Sequence, residues 1–185
     1  MFAEPEANIA QLGLRENEVV ADFGAGSGAY SIAAAKALHG TGRVYAVEIQ
    51  KDLLTRMQNT ARSSGLGNVD VVWGNIEKRG GTKLHENSID VVILSNVLFQ
   101  TDEKKITLEE ARRVLRPGGR LFLVDWTASF GNLGPVPEHI FTEVAARTIA
   151  GEAGFLFDKV INAGNYHYGL IFRKGGIVAT DVHDS

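Results

Sequence analysis

The chain has 185 residues, the usual length of one domain and enough to bury a sizeable core. With 44% hydrophobic and 22% charged residues, extensive disorder, collagen and a coiled coil are excluded. The chain has no cysteine, which excludes disulfides, thiolate metal sites and a cysteine nucleophile, and its net charge of −3 gives no general attraction to nucleic acid or anionic membrane.

Strand-like and helix-like segments alternate through most of the chain. The predicted strands are short apolar runs rich in β-branched or aromatic residues, at 19–23, 44–47, 69–73, 89–94 and 121–124. The predicted helices carry apolar residues at helical spacing, at 5–12, 29–38, 52–63, 103–115 and 137–153. Residues 74–88 have the least distinct pattern.

The end of the chain breaks this alternation. The apolar segments 155–163 and 168–173 are separated by too few residues for a crossover helix, which predicts an antiparallel hairpin at the sheet edge. The expected fold is therefore α/β: a doubly wound, mostly parallel sheet with an antiparallel C-terminal hairpin and helices on both faces. We expect one domain over residues 1–174 and a flexible tail over 175–185.

The most informative segment is the glycine-rich turn 22–28, Asp-Phe-Gly-Ala-Gly-Ser-Gly, between the first strand and the following helix. Its glycines permit left-handed backbone and let a ligand lie against the chain beside a helix N-terminus. A tight strand-to-helix turn with no ligand is the structural alternative. Because Gly24, Gly26 and Ala29 also match the dinucleotide pattern G-x-G-x-x-G/A, the glycine spacing alone does not choose the ligand.

Two acidic residues narrow the choice. Glu48 ends the second strand, where a carboxylate can accept hydrogen bonds from both ribose hydroxyls of an adenosine cofactor. Asp22 directly precedes the glycines, where it would repel a pyrophosphate but suit an ammonium group. The glycine turn and Glu48 leave an adenosine cofactor that carries either a diphosphate or a methionine, and Asp22 favours the methionine.

From about Glu18 to Arg173, the sequence resembles a known family, the class I S-adenosylmethionine-dependent methyltransferases. The motifs that carry the resemblance are Asp22-x-Gly24-x-Gly26-x-Gly28, Glu48, Gly74-Asn75, Asp90 and Leu115-Arg116-Pro117-Gly118-Gly119-Arg120. It is most similar to the small-molecule branch that contains ubiquinone/menaquinone-biosynthesis methyltransferases. The resemblance implies a Rossmann-like seven-stranded sheet, S-adenosyl-L-methionine as cofactor and S-adenosyl-L-homocysteine as product.

The resemblance also implies roles for particular residues around the cofactor. The glycine loop should line the methionine, Glu48 should hold the ribose, and Asn75, where the family often has Asp, should meet the adenine amino edge. Tyr30 either closes over the cofactor or packs as a helix aromatic. The expected cofactor-binding set is Asp22, Gly24, Ala25, Gly26, Gly28, Tyr30, Glu48, Ile49, Asn75, Ile76, Ser95 and Asn96.

Methyl transfer from a sulfonium is an in-line displacement, so positioning and water exclusion can supply most of the catalysis. No catalytic residue is strictly required. An acceptor that must lose a proton would benefit from a general base, and the candidates at the expected sheet edge are Asp125, His139 and His167. Surface or packing roles are the alternative for the histidines. No metal site is expected.

The predicted acceptor is a small molecule with a carbon, oxygen or nitrogen nucleophile. Nucleic acid is not expected, because acidic residues intersperse the basic residues of 103–116, although an RNA methyltransferase remains the alternative at the substrate level. An NAD-dependent oxidoreductase and a non-catalytic cofactor-binding module remain alternatives of other classes. The sheet uses nearly the whole chain, so a homodimer partner is expected if the acceptor site is to be covered.

The sequence contains no apolar run of the ~18–20 residues that a membrane-spanning helix needs. Its first residues, Met-Phe-Ala-Glu-Pro-Glu, lack the basic-then-apolar layout of a signal peptide. We therefore expect a cytoplasmic protein.

Overall fold

The computed structural model describes residues 4–131 and 134–176. Within them, the strands are β1 Val19–Phe23, β2 Arg43–Glu48, β3 Val69–Trp73, β4 Ile89–Ser95, β5 Leu115–Trp126, β6 Phe155–Ile161 and β7 His167–Lys174. The helices are α1 Pro5–Leu12, α2 Ala29–Ala37, α3 Lys51–Ser63, α4 Lys104–Val114 and α5 Glu143–Glu152, with 3₁₀ turns at Leu98–Gln100 and Pro137–His139. From residue 177 onward, the predicted tail lies outside the described residues.

The strands described form one seven-stranded sheet in the order β3-β2-β1-β4-β5-β7-β6. The first five strands in that order are parallel, whereas β7 pairs antiparallel with both β5 and β6. The predicted fold class is confirmed, including the C-terminal hairpin. The strand order reverses between β1 and β4, which is where open α/β sheets bind their ligands.

Two groups of helices cover the sheet. On one face, α1 and α2 pack through residues such as Ile9 and Tyr30 onto Val44 and Phe122, and α3 packs through Met57 onto Ala46. On the other face, α4 and α5 pack around a second cluster of buried residues. Its larger members include Phe23, Leu94, Leu98, Leu108, Leu123 and Phe172. Burial of both sheet faces explains why the strands read as continuous apolar runs rather than alternating ones.

The predicted helix over 137–153 is wrong at its beginning. The chain makes a short 3₁₀ turn at Pro137–His139, becomes extended at Ile140 and Thr142, and starts α5 only at Glu143. The physical reason is a cap: the Thr142 hydroxyl accepts a hydrogen bond from the Ala145 N–H at 3.2 Å.

The fifth strand is longer than predicted. It begins at Leu115, which pairs with Ile89, and resumes its pairing with Arg120 opposite Val91. Residues 116–119 therefore form an irregularity within the strand rather than a turn before it. The helix predicted over 103–115 correspondingly ends at Val114.

The segment 74–88 contains no helix or strand among the described residues, and buried groups hold it in place. The carboxylate of Glu110 on α4 accepts hydrogen bonds from the Gly80 N–H at 2.8 Å and the Thr82 hydroxyl at 2.5 Å. Arg113 completes the group through an ion pair of 2.8 Å with Glu110. This polar network fixes a connection that has no hydrophobic periodicity.

Candidate functional site

A cavity of about 380 Å³ lies at the carboxyl ends of β1, β2, β3 and β4, beside the reversal in strand order. The residues that line it come from the end of β2, the loops that follow these strands, the first turn of α3 and the 3₁₀ turn after β4. They are Gly24, Gly26, Val47, Glu48, Ile49, Gln50, Leu53, Gly74, Asn75, Ile76, Glu77, Val97, Gln100 and Thr101. Six of them belong to the predicted cofactor-binding set: Gly24, Gly26, Glu48, Ile49, Asn75 and Ile76.

The glycine loop forms one wall of the cavity. Gly24, Gly26 and Gly28 have φ angles of +70°, +54° and +83°, a left-handed conformation that other residues adopt at a cost. A Cβ on Gly24 would lie 2.8 Å from Val97, and one on Gly28 would lie 2.6 Å from Met57. A Cβ on Gly26 would approach protein no closer than 3.9 Å, so this glycine borders open space. Of the three, Gly26 has the clearest room for a ligand.

Glu48 is 7% exposed and holds the loop through backbone hydrogen bonds. One carboxylate oxygen accepts from the Gly26 N–H at 3.0 Å. The other accepts from the N–H groups of Ile49 and Gln50, at 2.8 and 2.9 Å. An ionised carboxylate offers about four acceptor positions, so three are used and room remains for one ligand hydroxyl rather than the expected two.

Asn75 has a defined hydrogen-bonding polarity. Its side-chain carbonyl accepts from the Glu77 N–H at 2.8 Å, and its own N–H donates to the Gly81 carbonyl at 2.9 Å. The side-chain NH₂ is the group left to address a ligand, so Asn75 acts as a donor toward the cavity. Ile49 and Ile76 add apolar surface beside it, and Ile49 is 54% exposed.

Asp22 and Tyr30 do not line the cavity. Asp22 is buried beneath the glycine loop, where it accepts a hydrogen bond of 2.6 Å from the Ser31 hydroxyl. Burial raises the pKa of Asp22 to about 6, and the Glu48 charge adds to this rise. The Tyr30 hydroxyl accepts from the Asn8 side chain at 2.8 Å, and its ring packs 6.1 Å from Phe122. Packing, not closure over the cavity, is the observed role of Tyr30.

The remaining predicted residues also lie outside the lining of the cavity. Ala25 packs near α3, and Ser95 ends β4. Asn96 follows with a left-handed φ of +56°, and its N–H donates to the Val124 carbonyl at 2.8 Å. The Asn96 side-chain oxygen is buried without a hydrogen-bond partner. The next residue, Val97, is the one that reaches the cavity.

The three candidate bases belong to three different segments: Asp125 to β5, His139 to the 3₁₀ turn after it and His167 to β7. Asp125 is buried and accepts from the N–H groups of Phe99 and Trp126, at 3.2 and 2.9 Å, which fixes the turn after β4 to the end of β5. Burial raises the pKa of Asp125 to about 6. His139 is exposed and lines a second cavity of about 330 Å³ that shares Gln100 and Thr101 with the first.

His167 is the first residue of β7 and pairs with Trp126, the last residue of β5. Its ring stacks on Trp126, with the ring centroids 4.3 Å apart, and it is 6% exposed. Burial lowers the pKa of His167, which keeps the imidazole neutral.

Sequence reasoning missed several residues of the cavity, chiefly Gln50, Leu53, Glu77, Gln100 and Thr101. Glu77 also accepts from the N–H groups of Asp102 and Glu103, each at 3.0 Å, and so connects the loop after β3 to the start of α4. Apart from Leu53, which lies in the first turn of α3, these residues belong to loops and to a short turn that carry no periodic signal. Their one common sequence feature is position shortly after a strand ends.

The charged residues that line the cavity indicate which cofactor it can bind. Its lining contains the carboxylates of Glu48 and Glu77, and no lysine or arginine lies among the lining residues in the described ranges. A pyrophosphate in this place would lack a cationic partner and face two acids. A ligand with a ribose, an ammonium and a sulfonium fits the donor and charge set. The residues present therefore suit S-adenosylmethionine.

Fold and site together define a doubly wound α/β protein with an adenosine-cofactor cavity at the point where its strand order reverses. A family model described as "Methyltransferase domain" matches residues 14–154. The chain belongs to this methyltransferase family.

Two curated relatives and one solved structure support the assignment to this family. The chain is 33% identical over 116 residues to the ubiquinone/menaquinone biosynthesis C-methyltransferase UbiE of Hydrogenovibrio crunogenus, covering 62% of this chain and 44% of that protein. It is 29% identical over 172 residues to UbiE of Haemophilus ducreyi, covering 92% and 55%. A SAM-dependent methyltransferase from Aquifex aeolicus superposes with a TM-score of 0.85 at 28% identity, covering 94% and 90%.

The chain thus spans about half the length of the curated relatives it matches. The predicted class, a class I S-adenosylmethionine-dependent methyltransferase similar to the UbiE type, is confirmed, and S-adenosylmethionine is the cofactor. The described residues contain no helix long and apolar enough to cross a membrane, and no cluster of three or more potential metal ligands.

Proposed function

We propose that the chain transfers a methyl group from S-adenosylmethionine to a carbon, oxygen or nitrogen atom of a small-molecule acceptor. The observation that carries this proposal is the cavity at the strand-order reversal, where Glu48 has one acceptor position left and no basic residue is found among the lining residues described. The two UbiE relatives are C-methyltransferases of ubiquinone and menaquinone biosynthesis. A carbon acceptor is therefore the first to test.

The cofactor, when bound, supplies an electrophilic methyl group that needs no further activation. The chain supplies position: the Glu48 carboxylate holds a ribose hydroxyl, the Asn75 NH₂ addresses the adenine, and the glycine loop lets the methionine lie against the backbone. Leu53, Ile76 and Val97 contribute apolar walls that exclude water. Holding two reactants in line in this way is the main source of rate in such a displacement.

Titration calorimetry tests the cofactor assignment. The purified chain should bind S-adenosylmethionine and S-adenosylhomocysteine and should show no heat with NAD. When the chain is incubated with methyl-labelled S-adenosylmethionine and a protein-free metabolite extract, the labelled methyl group should be transferred to a small molecule of the extract. Binding without label transfer to any fraction would favour a non-catalytic module, and binding of NAD would favour an oxidoreductase.

We further propose that nucleic acid is not the acceptor. Basic residues of α4 already have partners within the chain: Arg113 pairs with Glu110, Arg112 donates to the Gly154 carbonyl at 3.4 Å, and Lys104 donates to the Thr101 carbonyl. Retention of the chain on an RNA column at low salt, lost at high salt, would contradict this proposal.

We also propose a homodimer whose second copy covers the open side of the acceptor site, and a cytoplasmic location. The dimer is supported by how few of the described residues lie outside the sheet and its helices, chiefly those of 74–88, 127–131 and 134–142. Sedimentation equilibrium tests it, and a monomer at all concentrations would refute it. Fractionation of cells that express the tagged chain tests the location.

A further inference from the structure

His167 is a buried side chain that the fold leaves without a polar partner. Neither ring nitrogen has a hydrogen-bond partner, although the residue is only 6% exposed. Buried polar atoms are nearly always satisfied, so an unsatisfied one calls for an explanation such as a ligand. The ring packs against Trp126, with the ring centroids 4.3 Å apart and the ring planes tilted by 40°. Each ring nitrogen therefore has a hydrogen-bonding position that no described residue fills.

The position of His167 places it on the acceptor side of the sheet edge. It pairs with Trp126 at the carboxyl end of β5, and Val124 of β5 pairs with Ser95 at the end of β4. Since neighbouring strands lie about 4.8 Å apart, the end of β4 and the beginning of β7 are separated by about 10 Å, with the end of β5 between them. His167 thus lies across β5 from the strand whose following turn lines the cofactor cavity.

A second unsatisfied group lies on the other side of the β5 end, directly after β4. The side-chain oxygen of Asn96, directly after β4, is buried without a partner. Its backbone is left-handed, with φ of +56°, a conformation that is unusual outside glycine and concentrates at functional sites. Its N–H is occupied by the Val124 carbonyl, which fixes the residue to β5. Unpartnered polar groups therefore flank the end of β5 on both sides.

The surroundings of His167 favour the neutral imidazole over the imidazolium. Burial lowers its pKa, and no charged side chain contributes to that shift. The titratable neighbours on the paired strands, Asp125 and Tyr168, alternate onto the opposite face of the sheet. A neutral imidazole has one nitrogen that can accept a proton.

Resting on the methyl transfer of the proposed function, we propose that His167 is the base that takes a proton from the methyl acceptor, and that the Asn96 side-chain carbonyl helps to hold that acceptor. The acceptor would then be one that must lose a proton, with a hydroxyl or an acidic carbon. Its O–H or C–H bond breaks, the electron pair forms the bond to the methyl carbon, and the proton goes to the His167 ring. The C–S electron pair remains on sulfur in the neutral thioether, so the positive charge ends on the imidazolium.

The variants His167→Gln and His85→Gln provide a matched test, because His85 is exposed and lies outside both cavities. The probes are S-adenosylhomocysteine for binding, and methyl-labelled S-adenosylmethionine with the metabolite extract for turnover at several pH values. We expect His167→Gln to bind S-adenosylhomocysteine within about twofold of the unmodified chain. Its turnover should fall by roughly 10²–10⁴-fold and lose the rise with pH that a titrating base gives. His85→Gln should match the unmodified chain.

The outcomes separate this proposal from the proposed function. Failure of the unmodified chain to bind S-adenosylmethionine would overturn both. Normal turnover and an unchanged pH profile in His167→Gln would overturn only the role of His167. Loss of turnover in His139→Gln instead would place the base in the second cavity and would also overturn it.

A second variant tests the proposal without any acceptor. If His167 has no partner within the protein, His167→Phe keeps the stacking on Trp126 and removes two unsatisfied polar atoms, so its Tm should equal or exceed that of the unmodified chain. A Tm lower by several degrees in both His167→Phe and the smaller His167→Leu would show that the imidazole has a structural partner, and the proposal would fall.

Discussion

Glu48 holds the glycine loop, and in the proposed function it also binds the ribose. Its carboxylate accepts three backbone N–H groups and thereby shapes the glycine loop before any ligand arrives. The position that remains faces a cavity in which a ribose would lie. Because the loop is already held, the ligand does not have to order it on binding, which favours affinity.

The first prediction concerns this carboxylate. Glu48→Ala should weaken S-adenosylmethionine binding by ~1–3 kcal/mol, because the charge-assisted hydrogen bond to a ribose hydroxyl and the support of the Gly26 N–H are lost. Calorimetry measures the change, and Glu16→Ala, an exposed glutamate in a turn far from the cavity, is the control. An unchanged Kd in Glu48→Ala would remove the ribose assignment.

The second prediction concerns Asp22, whose pKa rises from 3.8 to about 6 on folding because the carboxyl is buried. A raised pKa means that the folded state binds the proton more tightly, so this group favours folding at low pH and loses that contribution as pH rises from about 4 to 6. At pH 7 the ionised carboxylate should cost up to about 3 kcal/mol.

Urea unfolding at pH 4 and pH 7 tests the Asp22 prediction. Asp22→Asn retains an acceptor for the Ser31 hydroxyl but does not ionise, so the variant should gain stability relative to the unmodified chain between these pH values. The exposed Asp52→Asn is the comparison. A difference that shrinks or reverses with rising pH would contradict burial as the cause of the raised pKa.

Among the elements, α5 shows how a local polar contact can override a hydrophobic pattern. Residues 137–153 have helical spacing of apolar residues, yet the helix begins at Glu143 because the Thr142 hydroxyl caps it. The preceding extended residues carry Ile140 and Phe141 into the wall of the second cavity. A continuous helix would have turned these side chains elsewhere.

The third prediction tests the cap. Thr142→Ala should lower the free energy of unfolding by about 1 kcal/mol, because the Ala145 N–H loses its partner. Thr148→Ala, the same substitution on the exposed side of the same helix, should be neutral or slightly stabilising, because alanine has the higher helix propensity. Chemical denaturation of the two variants measures both. Equal losses would show that the cap contributes nothing specific.

The order of the strands brings the site together across the whole molecule. Residues that line the cavity follow β1, β2, β3 and β4, which are distant in sequence but end at one edge. The antiparallel β7 then places His167 at that same edge from the far end of the chain. A contact between residues so far apart in sequence depends on the complete sheet.

The fourth prediction concerns the domain. We propose that residues 1–174 form one domain, because both faces of a single sheet are covered by helices that share its core. Urea unfolding followed by far-UV circular dichroism and by fluorescence of Trp73 and Trp126 should then give coincident transitions. Two separated transitions would show that the parts fold independently.

Much of the fold could be predicted from the sequence because its signals are local. Buried parallel strands appear in the sequence as apolar runs. The glycine loop is recognisable because its left-handed backbone conformation favours glycine. The site was predicted in part. Glu48 and Asn75 follow strands and carry polar groups, whereas Gln50, Gln100 and Thr101 lie in loops without a pattern and reach the cavity only through chain geometry.

The sequence alone determined the class of fold, the glycine loop and the acid that follows β2, because each depends on residue type within a short window. Only the tertiary structure decided that Tyr30 packs in the core and that Asp22 is buried against Ser31. It also decided that three backbone N–H groups occupy most of the acceptor positions of the Glu48 carboxylate. These outcomes depend on contacts between distant segments. Hydrogen bonds are directional and burial is collective, so neither can be read from spacing along the chain.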